Sequence, residues 1–405
     1  MTAAPRDGAG EQPMPKIISV DDHLIEPAHM FQSRLPHKYR DIGPRVVIEP
    51  QGDFKLVNGS YVEAPGDGDK MAAWWHYEDH RFQMKEMVAC PGVASEDVSM
   101  QGVTFDDIRP ACYEPKARVE DMKQNHVDGS LCFPNYPRFC GQVFAERKDR
   151  VLAKLCVEAY NDFMVEEWCG DSEGILIPLC VVPLWDAELA AAEIRRNAAR
   201  GVRAVAFSEA PVWLDLPSIH TDYWDPFLRA CEETKTVICM HIGSGTKTLY
   251  MGADAPTVVS ANVIACNSIA SLIDWLFSGK FDQFPGLQLL YAECQIGWIP
   301  YFVERADDIW QTHQWAHGED RIPNQPSHYY KKHVNVCFFK DTVGIGMIDK
   351  IGVDNVSFET DYPHQDGTFP RSKQVAEKLF GHLDEQSVYK IARGNAIELL
   401  GLERE

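Results

Sequence analysis

Eight short apolar, β-rich runs recur along the 405-residue chain, and helix-like stretches separate most of them. That alternation constrains the fold more than any other feature. The runs are "KIISVDDH" (16–23), "DGSLCFPN" (128–135), "ILIPLCVVPL" (175–184), "VRAVAFSE" (202–209), "TVICMHIG" (236–243), "LQLLYAE" (287–293), "HVNVCFF" (333–339) and "DNVSFETD" (354–361). Segments 145–169, 186–201 and 222–234 carry the spacing of amphipathic helices. Near-continuous apolar strands alternating with helices describe a parallel sheet covered on its outer face. Eight such units predict an α/β fold, a closed (β/α)8 TIM barrel. A doubly wound open sheet is the alternative, but no G-x-G-x-x-G follows the first run.

One connection breaks the pattern. Residues 28–114 separate the first strand from its helix, where a βα loop usually has roughly two to six residues. This insertion is rich in Trp, Tyr, His and Met, as in "KMAAWWHYEDHRFQMKEM" (70–87). In a barrel it belongs on the C-terminal face, where active sites lie. It reads as a lid or substrate wall, with Trp74 and Trp75 lining the entrance. It reads equally as a helical subdomain packed on the barrel or on a partner subunit. Residues 1–15, "MTAAPRDGAGEQPMP", lack the apolar core of a secretory signal and read as a flexible tail ahead of a single domain, 16–405.

Composition excludes several classes. A net charge of −21 argues against nucleic-acid binding, which needs a basic face. No apolar run approaches the roughly 20 residues of a membrane span. The twelve cysteines are scattered without a C-x-x-C pair, which fits buried thiols in a reducing cytosol and a cytoplasmic protein. The "NGS" at 58–60 would matter only in a secreted chain.

The strand ends carry the chemistry. The first run ends on Asp21, Asp22 and His23, with Glu26 just beyond. Residues two apart on a strand point the same way, so Asp21 and His23 share a direction and Asp22 opposes them. The fourth run ends near Glu209, the fifth at His241, the sixth at Glu293 and the eighth at Asp361, with His364 following. Any one of these alone reads as a helix cap or a hydrogen-bonded core residue. Several converging on one rim repel one another and are costly to bury, and a metal cation removes both objections. Oxygen and imidazole donors without thiolate suit Fe, Mn or catalytic Zn. Asp21, His23, His241 and Asp361 would fill one metal's shell. Glu293, Glu209 and Glu26 then either serve a second cation or orient the histidines.

"VDDH", "CMHIG", "ETDYPH" and "IARGNAIELLGL" (391–402) together resemble the amidohydrolase-2, aminocarboxymuconate-semialdehyde decarboxylase-like family of the amidohydrolase superfamily. The resemblance implies a TIM barrel with a metal at its C-terminal mouth, ligands at Asp21, His23, His241 and Asp361, and hydrolase or non-oxidative decarboxylase chemistry. The sequence departs from that pattern at "YAECQIGW", where the decarboxylases usually carry a histidine and Glu293 stands here. That departure makes the chain similar to dinuclear non-heme iron monooxygenases sharing the barrel, such as the platensimycin-pathway hydroxylase.

Two reactions stay open. With two Fe (or Mn), the chain would be a monooxygenase acting on an apolar carboxylate or CoA-thioester metabolite. With one Zn or Mn, it would be a hydrolase or decarboxylase. A non-catalytic partner subunit is a third alternative. Glu293 and His364 are the candidate catalytic residues. Arg138 and Lys340 are candidates for pairing with a substrate's negative charge, with nearby acids as their other expected partners. The expected partners are a small-molecule substrate, a second copy of the chain and, for the oxygenase, an electron donor; nucleic acid and membrane are not expected.

Overall fold

The computed structural model describes residues 13–404 apart from 58–59, 65, 171, 250, 253 and 318–321. Eight parallel strands form the barrel. They are β1 (Ile17–His23), β2 (Val127–Phe133), β3 (Leu176–Ile177 and Leu179–Cys180), β4 (Ala204–Phe207), β5 (Val237–His241), β6 (Leu289–Ala292), β7 (Val334–Phe338) and β8 (Val356–Phe358). Each pairs in parallel with the next from β1 to β8. Pro178 divides β3, because proline has no N–H to give to a ladder. The barrel closes between β8 and β1. The N–H of Asp361 donates to Asp21 O at 3.0 Å, and that of His23 to Tyr362 O at 2.6 Å. Every residue of β1, β2, β4, β5, β6, β7 and β8 is buried except Asp128, as expected when helices cover the outside and side chains fill the inside.

The helices begin where the sequence supplies caps. Asp149 accepts the N–H groups of Val151 and Leu152 and starts the helix Arg150–Phe163. Asp186 does the same for Ala187–Ala198 through Glu188 and Leu189. The helical stretch Val258–Leu276 corrects the expectation that nothing approaches a membrane span. It has 19 residues and a mean hydropathy of 1.3, enough by length and composition. Here it covers the barrel: Leu272, Trp275 and Leu276 are buried, and Asn267 and Ser268 reach inward to Glu209.

Among the described residues the insertion is mainly antiparallel β structure, which corrects the helical alternative. Strands Arg45–Pro50, Met71–Tyr77 and His80–Gln83 form one sheet, and Asp53–Val57 pairs with Ser60–Ala64. Trp74 and Trp75 sit in the middle strand, each 2% exposed. Trp75 stacks on Tyr136 with ring centroids 4.4 Å apart, and the Trp74 indole N–H donates to Pro50 O at 3.2 Å. Their assignment to a substrate entrance is therefore corrected: neighbouring residues on a strand face opposite ways, and here both faces are covered, so both indoles go into packing. The insertion still reaches the barrel mouth. The Cys90 N–H donates to Pro363 O at 3.0 Å, and that of Gln365 to Met87 O at 2.9 Å.

Residues 1–12 of the expected tail lie outside the described residues, as do Asn58 and Gly59 of the "NGS" motif. The chain is anchored by Met14, which is buried and whose carbonyl lies 2.9 Å from His126 Nε2.

Candidate metal centre

The first strand ends in two opposed sets of side chains. Asp21 and His23 enter the barrel mouth, while Asp22 locks the wall. Asp22 Oδ1 accepts from Ser19 Oγ at 3.0 Å, Thr360 Oγ1 at 2.6 Å and the Tyr362 N–H at 3.0 Å; its Oδ2 accepts from Ser130 Oγ. One carboxylate thus joins β1, β2 and the end of β8. Arg118 supports the same corner. Its guanidinium donates to His23 O at 2.5 Å and Ala111 O at 2.9 Å, and lies 4.1 Å from the Tyr362 ring centroid.

In the mouth, His23 Nε2 lies 3.1 Å from His241 Nε2, 3.5 Å from Asp21 Oδ1 and 3.7 Å from Asp361 Oδ1. His241 Nε2 lies 3.4 Å from both Asp21 Oδ2 and Glu293 Oε2. His241 Nδ1 sits 2.7 Å from Ile242 O and donates to it, which leaves Nε2 with its lone pair facing the cluster. Both oxygens of Asp21 and Oδ2 of Asp361 are buried without a hydrogen-bond partner, and Asp361 Oδ1 has His364 Nδ1 at 2.9 Å. These separations are those of neighbouring donors around one cation with bonds of roughly 2.0–2.2 Å. Asp21, His23 and His241 can hold a metal ion, and so can His23, Asp361 and His364.

Electrostatics point the same way. Burial, then repulsion from Glu359, Asp361 and Glu293, pushes Asp21 well above the usual carboxylate range. Burial, then Asp361 and Glu359, does the same to Glu293, and burial with Asp366 does it to Asp361. Burial holds His241 down to about 3 and His364 down to about 4. Neutral imidazoles beside crowded carboxylates form a ligand set, and a divalent cation reverses the repulsion.

The structure brings together Asp21, His23, His241, Glu293, Asp361 and His364. Glu26 and Glu209, expected among the ligands, are corrected. Glu26 accepts the N–H groups of Asn135 and Tyr136, each at 2.8 Å. Glu209 accepts the Gly243 N–H at 2.8 Å and lies within 3.3 Å of Asn267 Nδ2 and Ser268 Oγ. Both carboxylates hold loops beside the site. Arg138 pairs with Glu146, so its assignment to substrate gives way to its other expected partner, a nearby acid. Lys340 donates to Asp366 O at 2.9 Å and stays at the mouth.

Glu359 and Cys337 were missed. Glu359 is buried, accepts the Glu293 N–H at 3.0 Å and the Cys337 thiol, and is pushed up to about 8, chiefly by burial. With Asp21 the two make a further group able to hold a cation. Glu359 stands two residues before Asp361, so the parity that pairs Asp21 with His23 would have found it.

Several relatives share this architecture. The chain is 23% identical over 323 residues to a 2-amino-3-carboxymuconate-6-semialdehyde decarboxylase of Dictyostelium discoideum, covering 75% of this chain and 81% of the relative. A crystal structure of an amidohydrolase from Mycobacterium avium subsp. paratuberculosis K-10 superposes with a TM-score of 0.69 at 20% identity, over 96% of this chain and 99% of that one. A 5-carboxyvanillate decarboxylase from Novosphingobium aromaticivorans, solved with manganese and 4-hydroxy-3-methoxy-5-nitrobenzoic acid, gives 0.57 at 20% identity, over 70% and 79%. The amidohydrolase family model (Amidohydro_2) matches residues 71–402, starting inside the insertion and running through the last helix, and the chain belongs to that family.

Proposed function

We propose that the chain is a metal-dependent lyase of the cytosol that removes CO2 from a small carboxylic acid without an oxidant. The observation that carries this reading is the convergence of His23, His241, Asp21 and Asp361 at 3.1–3.7 Å on one buried point. These four residues would hold one divalent cation, which when bound would polarise a substrate oxygen next to the bond that breaks. The rest falls to the chain. Glu293 has a side chain 16% exposed while Asp21, His23, His241 and Asp361 are at 0%, so it faces the opening. From there it reaches the carbon that loses CO2. The C–C bond breaks, the electron pair stays on carbon, and that carbon takes the proton held at the Glu293 carboxyl. The His364 ring, stacked 3.8 Å from that of His23 with Nδ1 2.9 Å from Asp361 Oδ1, keeps both ligands in place. The decarboxylases among the relatives support the reaction class, and the twelve free thiols suit a reducing compartment.

A second reading has its own observation. Asp21, Glu359 and Asp361 are buried in one mouth, with Glu293 at its opening. Four carboxylates balance two divalent cations, which would suit a dinuclear iron oxygenase. One experiment separates the two. Purified protein is incubated under argon and in air with a panel of aromatic and unsaturated carboxylic acids, and CO2 and hydroxylated product are both assayed. The lyase releases CO2 equally in both atmospheres; product that forms only in air and carries its oxygen would replace the lyase with the oxygenase.

A further inference from the structure

The loop after β2 does not stay over its own strand. It reaches past β3 and β4 to the loop after β5, where three side chains stitch it down. Arg138 Nη1 donates to Thr246 Oγ1 at 3.3 Å, the Cys140 thiol to Ser244 O at 3.7 Å and Gln142 Nε2 to Gly243 O at 3.4 Å. At the near end Glu26 holds the N–H groups of Asn135 and Tyr136. This strap carries the half-buried Phe139 onto the metal centre. The Phe139 ring lies parallel to the His241 imidazole, with 11° between the planes and 4.1 Å between centroids, and it meets the His23 ring edge-on at 5.6 Å. Behind it stands Gly243 at a φ of 79°, where a Cβ would come within 3.0 Å of Phe139 Cε2. The ring is thus held from both ends of the strap and from behind.

We propose that Phe139 is a positioning residue for the metal: its stacked ring fixes the tilt of the His241 imidazole and so slows the loss of a bound divalent cation. The proposal rests on the metal-centre reading and not on the reaction class. His241 has one other constraint on its ring. The bond from Nδ1 to Ile242 O at 2.7 Å sets the tautomer, but a single hydrogen bond leaves the imidazole free to rock about its own line. A flat ring against its face removes that freedom and keeps the Nε2 lone pair aimed at the cluster. Charge adds to geometry. An imidazole that donates to a cation becomes electron-poor, and the electron-rich face of an aromatic ring attracts such a partner. The stack therefore strengthens when metal binds. An aliphatic side chain of similar volume fills the space but supplies neither the flat clamp nor the response to charge.

The test follows Co2+ leaving the metal-loaded full chain in excess EDTA, read by the visible spectrum of the bound ion, with circular dichroism on the same samples. Phe139→Leu should release Co2+ about tenfold or more faster than wild type, the range for losing a group that orients a ligand, and its spectrum should change. Phe139→Tyr keeps an aromatic face and should stay within about twofold of wild type. Arg138→Gln frees the strap from Glu146 and Thr246 without touching a donor atom, and should speed release by about threefold. It decides the matter if Phe139→Leu does not fold: an unchanged rate in Arg138→Gln then overturns the proposal. Wild-type release and spectrum in folded Phe139→Leu also overturn it, even with a lowered melting temperature, because Phe139 would then serve packing alone. Equal acceleration in the leucine and tyrosine variants overturns it too. A wild type that takes up no Co2+ removes the metal centre itself, whereas uptake with unchanged release in Phe139→Leu removes only the role of Phe139.

Discussion

The carboxylate of Glu359 accepts the backbone N–H of Glu293 at 3.0 Å. That bond ties the end of β8 to the end of β6 and helps hold Glu293 at a φ of 56°, a left-handed conformation that side chains rarely adopt. Asp361 is held in the same region, at a φ of 50°. Backbone strain of this kind persists where the surroundings over-determine it, and it concentrates at functional sites. The scaffold thus fixes where residue 293 stands, and a substitution there changes the side chain's chemistry more than its place.

Glu293→Gln should accordingly keep the fold and the metal. Its kcat for CO2 release should fall about a hundredfold or more, the range for losing a positioned proton donor, with little change in KM. Steady-state kinetics with elemental analysis of the same sample checks this. A variant that keeps full kcat removes Glu293 from the reaction.

Asp22 makes a different prediction, because it works on the wall rather than in the mouth. Its carboxylate has four donors, from Ser19, Thr360, Tyr362 and Ser130. Asp22→Ala strands them in the interior and should cost about 3 kcal/mol or more. Chemical denaturation measures it. A loss under about 1 kcal/mol would show that the barrel closes without this latch.

Trp75→Ala should behave as a core truncation. The ring is stacked on Tyr136 and packed edge-on to Phe31, 5.8 Å between centroids. The expected loss is about 3–5 kcal/mol, with KM nearly unchanged in the protein that remains folded. A raised KM at unchanged stability would return Trp75 to the substrate entrance.

Burial raises the Glu209 carboxyl from 4.5 to about 7. The folded chain therefore holds this proton more tightly than the unfolded chain. Its contribution to stability is full below about pH 4.5 and is lost as pH rises through about 7. Glu209→Gln keeps a carbonyl for Gly243 and an amide for Ser268, and it has no proton to lose. Its melting temperature relative to wild type should rise between pH 4.5 and 7 and then level off. Parallel curves across that window would contradict the assignment.

These cases show what was legible in the chain. The barrel was, because eight strands buried on both faces must be apolar throughout, and helices must separate parallel neighbours. The convergence of Asp21, His23, His241, Glu293 and Asp361 was, because each closes a strand of one parallel barrel and so stands on its C-terminal rim. Glu26 and Glu209 close or follow such runs too, and nothing local says that their oxygens go to loop N–H groups. Those donors, at Asn135 and Gly243, come from other connections and meet the carboxylates only in the fold. The tryptophans failed for a related reason: Trp75 pairs with Val46 across a sheet whose strands are distant in sequence. Glu359 was readable and overlooked.

The central claim is that Asp21, His23, His241 and Asp361 hold one catalytic divalent cation. Elemental analysis of anaerobically purified protein tests it most directly, alongside His23→Ala and His241→Ala with circular dichroism to confirm their folds. The account predicts close to one divalent metal per chain in the wild type, manganese or zinc, and near none in either folded variant. Two metals per chain, or full occupancy in His241→Ala, would contradict it.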